Sequence, residues 1–433
     1  MTGVGMKAIA SEIESVVGSQ LGIWDWDNIS PLQQKQILRA IAPGTTPSCL
    51  VCPDTPAVLA EIMSLSHRYH WKVLPCGSGS KLSWGGSLAN VDLVVSTAQM
   101  NRLIDHAVAD LTITVEAGMP LAQIQLILAQ TGQFLALDPT IPHPATAGGI
   151  VATADAGSLR QRYGSVRDQL LGISFVRADG QIAKAGGRVV KNVAGYDLMK
   201  LLTGSFGTLG IISQVTFRVY PLPETSQTSI VTGNGDAMAA IAAQLLTSAL
   251  TPTAIDLLSP RQATCLGLAQ NLTLLVRFQS VAASVTAQSE RLLALGKHLG
   301  LSVTIADDEG VLWQRSPSQT EPAIICKIGV LPAAAVATLT QLELLSSGGM
   351  GLIHAGKGLG MVRFPATEAI SQILALRRYC ESQGGFLTIL EAPTELKEKI
   401  DVWGYIGNSL DVMRRLKQQF DPKNILSPNR FVV

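Results

Sequence analysis

The residues that could do chemistry in this chain are mostly small ones. Gly77-Ser78-Gly79-Ser80, followed by Lys81 and Leu82, comes directly after a short apolar run from Trp71 to Pro75. A loop of this kind can turn successive backbone N–H groups inward, making a nest for an anion such as pyrophosphate. Glycine lacks a Cβ and lets backbone approach the anion closely, and the serine hydroxyls add donors. The spacing is not that of a GxxxxGK[ST] phosphate loop, and no GxGxxG opens a helix after the first strand. Alone, the stretch reads equally well as a surface turn. A second small-residue segment, Pro139 to Gly164, holds Thr146-Ala147-Gly148-Gly149 and Ala152-Thr153. There a flat ring or a pyrophosphate could press against backbone. Arg160, Arg162 and Arg167 read as surface or structural charges rather than ligands.

Cysteine and histidine offer less. Cys49 and Cys52 form one CxxC, but no second pair and no helix start follows, so buried strand thiols are the better reading. Six cysteines in 433 residues are too few for a disulfide scaffold or a ferredoxin-type cluster. His67, His70, His106, His143 and His298 show no metal-ligand spacing. His67 and His70, three apart on a helical stretch, read as a solvated face.

The elements that must position these residues come from a chain with ample core. Hydrophobic residues make up 47% and charged residues 15%, the reverse of a disordered composition. Basic and acidic residues balance at 33 against 32, which argues against a dedicated nucleic-acid binder. The 40 glycines and 21 prolines are not periodic, excluding collagen-like and repeat architectures. The most apolar runs are shorter than the roughly 20 residues a membrane span needs, and the N-terminal stretch lacks the apolar region of a secretory signal. The length favours two or three structural units.

Residues 31–41 and 54–70 read as helices, the second opened by Asp54-Thr55. Strands are expected at Trp71–Pro75, over VDLVVST and over Leu111–Gly118, with an amphipathic helix over MPLAQIQLILAQTG closed by Gly132. LLGISFVRADGQIAKAGG reads as a hairpin around Asp179-Gly180. Residues 222–228 look like a linker. Beyond it, helices such as 237–250 and 332–346 alternate with strands such as LTLLVRFQ and PAIICKIGV, an α+β pattern. The chain closes on an amphipathic helix and a Pro- and Asn-rich tail.

Three separated blocks carry a resemblance. Pro75 to Leu82, the ATAGGIVATADAG…RYGSVRD segment, and KNVAGYDLMKLLTGSFGTLGII, with the closing FDPKNILSPNRF, resemble FAD-linked oxidases of the vanillyl-alcohol oxidase / p-cresol methylhydroxylase (PCMH) type. Within that family the sequence looks most like the FAD-binding E-type subunits of bacterial glycolate oxidases. The resemblance is strong over roughly residues 45–222, weak in the following segment and clear in the tail. It implies an α+β, two-subdomain PCMH-type fold: an N-terminal helical segment (1–37), an FAD domain (38–222), an α+β cap (223–405) and a C-terminal segment (406–433) returning to the FAD domain.

The cofactor so implied is FAD. Gly77, Ser78, Gly79, Ser80, Lys81 and Leu82 would cradle the pyrophosphate. Pro139, Thr146, Gly148, Gly149, Thr153 and Gly157 would line the flavin and its ribityl chain, and Gly210, Ile211 and Ile212 would lie towards the adenine. Relatives with covalent flavin use a His or Cys at particular loop positions. Here Cys76 is present without a matching His, so non-covalent FAD is expected. Lys191, Asn192, Tyr196 and Asp197 match the family block and read as packing and loop-fixing groups.

Members that oxidise 2-hydroxy acids carry a cap motif like HAGDGNLH, whose two His bind a metal, and a later segment like GEHGIG, with a Glu ligand and a His base. Such a metal grips the carboxylate and hydroxyl, while the base takes a proton as hydride leaves. Here His354 matches the first ligand and Glu391 the third. Lys357 and Met361 replace the Asp and the second His, Ala392 replaces the base, and Phe206 stands where catalytic relatives have Glu. Met is a poor ligand for a hard cation. No metal and no catalytic residue is therefore expected here. His354 reads as structural or as a cap-interface residue, and Glu391 as a surface or salt-bridged carboxylate.

The resemblance then implies an FAD-binding subunit of a complex that oxidises glycolate, with D-lactate as a further substrate. Its partners would be a homologous catalytic flavoprotein subunit and an iron–sulfur subunit, in the cytoplasm or peripheral to the inner face of its membrane. A self-sufficient FAD-dependent 2-hydroxy-acid dehydrogenase and a non-catalytic assembly module are the alternatives.

Overall fold

The computed structural model describes residues 3–18, 22–187, 195–313, 322–404 and 407–431, with side chains from residue 9 onward. Lys191 and Asn192 lie outside the described residues. The chain divides into two compact units. The first comprises residues 1–156, 165–221 and 405–433, the second residues 157–164 and 222–404.

The first unit holds two main sheets. Four strands run in the order Gly22–Asp25, Cys49–Cys52, Leu93–Ser96 and Val73–Cys76. The last three are parallel to one another and the first is antiparallel. CLVC and LVVS are buried at every position, as expected of strands covered on both faces. The helix Pro56–Tyr69 is capped by Thr55, whose Oγ1 accepts from the Val58 N–H, with Pro56 supplying a pre-set first-turn φ. Its apolar face, with Leu59, Ile62 and Met63, packs with Val51, Val73 and Val95.

Five antiparallel strands form the other sheet, in the order Leu103–Ala107, Thr112–Glu116, Ile211–Arg218, Leu170–Val176 and Ile182–Gly186. The last two are the hairpin expected around Asp179-Gly180, with Gly180 at φ 86°. Ile113, Val115, Ile173, Phe175, Val215 and Phe217 bury one face against the helices Leu121–Ala129 and Ala147–Thr153.

The second unit is an eight-stranded antiparallel sheet. Its strand order is Ser302–Ile305, Thr225–Thr232, Thr273–Ser280, Ala254–Leu258, Met350–His354, Leu359–Pro365, Ala323–Gly329 and Phe386–Glu391. The helices Gly235–Thr247, Ala282–His298, Ala335–Leu345 and Ile370–Ser382 bury their apolar stripes with this sheet. Among the described residues no helix is long and apolar enough to cross a membrane.

One local expectation fails. The helix carrying His67 ends at Tyr69, and His70 adopts the left-handed conformation (φ 62°). His67 and His70 therefore do not share a helical face. A polar residue took the role usually given to glycine at that cap.

Candidate cofactor site

A cleft opens in the first unit. It begins where the strand Val73–Cys76 runs out and the chain turns through Gly77–Leu82, with Gly79 at φ +83°. Opposite stands the helix Ala147–Thr153, whose N-cap Thr146 Oγ1 accepts from the Gly149 N–H at 3.3 Å. The two walls touch so closely that a Cβ on residue 77 would lie 2.1 Å from Thr146 Oγ1; only glycine fits there. Ser78 Oγ donates to Pro144 O. Ser96 Oγ, from the neighbouring strand, donates to Gly77 O at 2.9 Å. The third wall is the turn Phe206-Gly207 and the segment Gly210–Ile212.

Of the residues expected to contact the cofactor, Gly77, Ser78, Gly79, Ser80, Lys81, Leu82, Thr146, Gly148, Gly149, Thr153, Gly210, Ile211 and Ile212 line this one cleft. Pro139 and Gly157 do not. Pro139 is buried just before Thr140, and Gly157 is half-buried at the start of a stretch grouped with the second unit.

The cleft's electrostatics rest on Lys81, whose ammonium is 2.8 Å from the Asp155 carboxylate, with both side chains at most 5% exposed. Asp155 also accepts from the Thr140 N–H and hydroxyl at 3.1 and 2.8 Å. Burial pushes the Asp155 carboxyl up, but Lys81 and the Thr140 donors outweigh it and hold it below the usual carboxylate range.

Two features of the cleft were not read from the sequence. Arg430, 5% exposed, lines it from the C-terminal tail and donates from Nη2 to Lys81 O at 3.1 Å. Burial lowers its guanidinium to about 10, against a small opposing effect of Cys76. Phe206, at φ 54°, stacks on Phe431 with ring centroids 5.7 Å apart. The signal available was the SPNRF motif, but nothing local to it indicates which distant loop it meets.

Cys76 lines the cleft too, and burial, then Cys52, push its thiol up to about 12. Cys49 and Cys52 are likewise buried in their strand, raised to about 12 and about 11 chiefly by burial. Such thiols are inert rather than nucleophilic.

In the second unit, His354 Nδ1 is 2.7 Å from Asp256 Oδ1. Asp256 is fully buried and also accepts from the Ser158 hydroxyl. Met361 lies opposite Lys327 and Leu352 in the sheet, and Glu391 opposite Ile325. Among the described residues no three His, Cys, Asp or Glu side chains group so as to hold a metal.

The cleft's composition fits a dinucleotide. It offers a glycine-rich backbone nest, an apolar wall at Ile211, Ile212 and Phe206, and two buried cations with no acidic residue in its lining. Comparisons with known proteins agree. Residues 47–186 match the family described as FAD binding domain. The glycolate oxidase subunit GlcD of Bacillus subtilis (strain 168) is 26% identical over 89% of this chain and 88% of its own length. The glycolate oxidase subunit GlcE of Escherichia coli (strain K12) is 39% identical, over 35% of this chain and 43% of its own. The crystal structure of p-cresol methylhydroxylase with substrate bound superposes with a TM-score of 0.77, covering 98% of this chain and 96% of that one at 13% identity. The fold is the α+β, PCMH-type FAD-binding fold, and FAD is the cofactor.

Proposed function

We propose that this chain is an FAD-carrying, E-type subunit of a dehydrogenase complex that oxidises glycolate, and D-lactate as a second substrate, to the 2-oxo acid. FAD, when bound, supplies a two-electron acceptor. Gly77–Leu82 hold its pyrophosphate, Thr146, Gly148, Gly149 and Thr153 pack on the flavin and ribityl chain, and Gly210–Ile212 lie towards the adenine. The cofactor is non-covalent, because the nearest thiol, Cys76, is held protonated by burial.

The observation that carries the subunit role is the state of the second unit. His354 turns Nδ1 to a buried carboxylate, while Met361 and Ala392 occupy the positions expected to furnish a further metal ligand and a base. Neither side chain can take the substrate's hydroxyl proton or bind a hard cation. The chemistry then falls to a homologous flavoprotein subunit, with electrons leaving through an iron–sulfur subunit, because the six cysteines here are scattered and buried or singly exposed. A cytoplasmic complex, peripheral to the membrane, follows from the same reading.

A second reading is a self-sufficient 2-hydroxy-acid dehydrogenase. It is favoured by the likeness to a protein named as a dehydrogenase and not as a subunit, the probable mitochondrial D-lactate dehydrogenase of Danio rerio, 32% identical over 42% of this chain and 37% of its own length. Affinity purification of the tagged chain from its native cells separates the two. Recovery of stoichiometric homologous flavoprotein and iron–sulfur protein, with glycolate-dependent dye reduction only in that assembly, supports the subunit role. Turnover by the chain alone supports the second reading.

A further inference from the structure

A strand at the rim of a sheet presents a row of unpaired backbone donors and acceptors, and proteins ordinarily blunt it with charge, proline, a bulge or a covering segment. The outer strands of the three larger sheets are blunted in these ways, with one exception. Ile182–Gly186 carries Lys184 at its centre. Leu103–Ala107 carries Asp105 and His106, with a register shift between Leu103 and Asp105. Gly22–Asp25 is short and ends on a carboxylate. Val73–Cys76 meets residues 425–427: Val73 N–H donates to Ile425 O at 2.7 Å, and Ser427 N–H to Val73 O at 2.9 Å. Phe386–Glu391 is met by the chain at Val402, whose carbonyl accepts from the Ile389 N–H at 2.8 Å.

Ser302–Ile305, at one end of the eight-stranded sheet, has none of these devices. Its sequence SVTI is uncharged, and it pairs with Thr225–Thr232 without a register shift. Among the described residues no strand takes its other edge. Ser302, Thr304 and Ile305 are exposed, Ile305 by 41%.

The alternation of the strand fixes which groups face outward. Ala306 N–H donates to Thr228 O at 2.9 Å, so Thr304, two residues back and opposite Ile230, also turns its N–H and C=O inward. Val303 and Ile305 turn theirs to the open edge. Leu301 N–H is spent within the chain, on Gly296 O. An identical strand running antiparallel about a two-fold axis through Thr304 sets Val303 of each copy against Ile305 of the other, which pairs the outward groups of both residues. Centring the axis on Val303 instead leaves Ile305 opposite Leu301, whose N–H is already used.

The flanks are complementary under the same operation. Lys297 and His298, both exposed, end the helix Ala282–His298 just before the strand, and Asp307 and Asp308, both exposed, follow it. Antiparallel pairing carries the acidic end of each copy toward the basic end of the other, whereas parallel pairing puts like with like.

We propose that this chain forms a two-fold dimer by pairing Ser302–Ile305 with the same strand of a second copy, joining the two eight-stranded sheets into one. A second copy is the partner because the uncharged strand and its oppositely charged flanks complement themselves. The inference stands apart from the cofactor and substrate readings.

Sedimentation velocity of the purified chain, over about a hundredfold range of concentration, should show a monomer–dimer equilibrium that weakens with added salt. Ile305→Pro removes an outward N–H and no bond inside the monomer. It should raise the dimer dissociation constant by about fivefold to a hundredfold. Thr304→Lys and Thr304→Glu each set like charges face to face across the axis, and each should be monomeric alone. Mixed in equal amounts they should dimerise again, because the facing charges are then opposite in sign.

A native chain that stays monomeric throughout that range overturns the proposal, whether the edge is solvated or reserved for a different subunit. So does a dimer that survives both Ile305→Pro and Thr304→Lys, and so does a mixture of the Lys and Glu variants that remains monomeric. Circular dichroism checks that each variant is folded. Should Ile305→Pro fail that check, the two Thr304 variants, altered at an exposed side chain, decide the matter.

Discussion

Replacing Asp155 by Asn isolates the electrostatics of the cofactor cleft. In the native chain the Lys81 ammonium and Asp155 carboxylate meet at 2.8 Å with side chains 5% and 3% exposed. The Asn variant leaves the ammonium buried beside a neutral amide. Breaking a buried pair from one side costs about 3–5 kcal/mol, whereas an exposed pair is worth about 1 kcal/mol or less. Burial puts this pair in the first class. At about 2–4 °C per kcal/mol for a folding unit of this size, the melting temperature of flavin-free Asp155→Asn should fall by roughly 6–20 °C at neutral pH.

The pH dependence has a definite sign. The Asp155 pKa is lowered on folding from its ordinary 3.8. Its stabilisation is therefore complete above that ordinary value and is lost as pH falls through the lower folded-state value. The gap between native and variant should be widest at neutral pH and close in strong acid. Thermal unfolding followed by circular dichroism across that range is the assay. A variant within about 2 °C of the native protein, less than one kcal/mol would give, refutes the reasoning. So does a gap that persists unchanged in strong acid.

Three further outcomes are expected. Lys417→Met strands the buried Asp421 and unpins the tail, costing about 3–5 kcal/mol; limited proteolysis with mass spectrometry should find new cleavage in residues 421–431. Asp256→Ala removes the shared partner of Ser158 and His354 and should destabilise the second unit by about 2–4 kcal/mol in chemical denaturation. Because the Cys76 thiol is raised to about 12, acid precipitation of the holoprotein should release all flavin to the supernatant, and Cys76→Ala should keep its flavin content.

What the sequence disclosed about the site depended on how local the constraint was. Gly77 was visible because close approach to Thr146 leaves no room for a Cβ, and that demand selects one residue type. The hairpin of residues 170–186 was visible because alternation and Asp179-Gly180 are both short-range signals. The Lys81–Asp155 pair was not visible, since two ordinary charged residues 74 positions apart carry no mark of facing each other. Arg430 was hidden for the same reason: its neighbour Lys81 lies 349 positions earlier, and only the pairing of residues 425–427 with Val73 brings them together. The order of the eight strands in the second unit lay beyond periodicity altogether, because it is fixed by which apolar faces pack together.

The central claim is that this chain binds FAD but leaves substrate oxidation to a partner. The visible absorption spectrum of the purified holoprotein, recorded anaerobically before and after adding glycolate or D-lactate, tests it directly. The expected result is an oxidised flavin spectrum that persists with either acid and bleaches only when the homologous subunit is added. Bleaching by the chain alone would contradict it, and would mean that Met361 and Ala392 do not stand where a ligand and a base are needed.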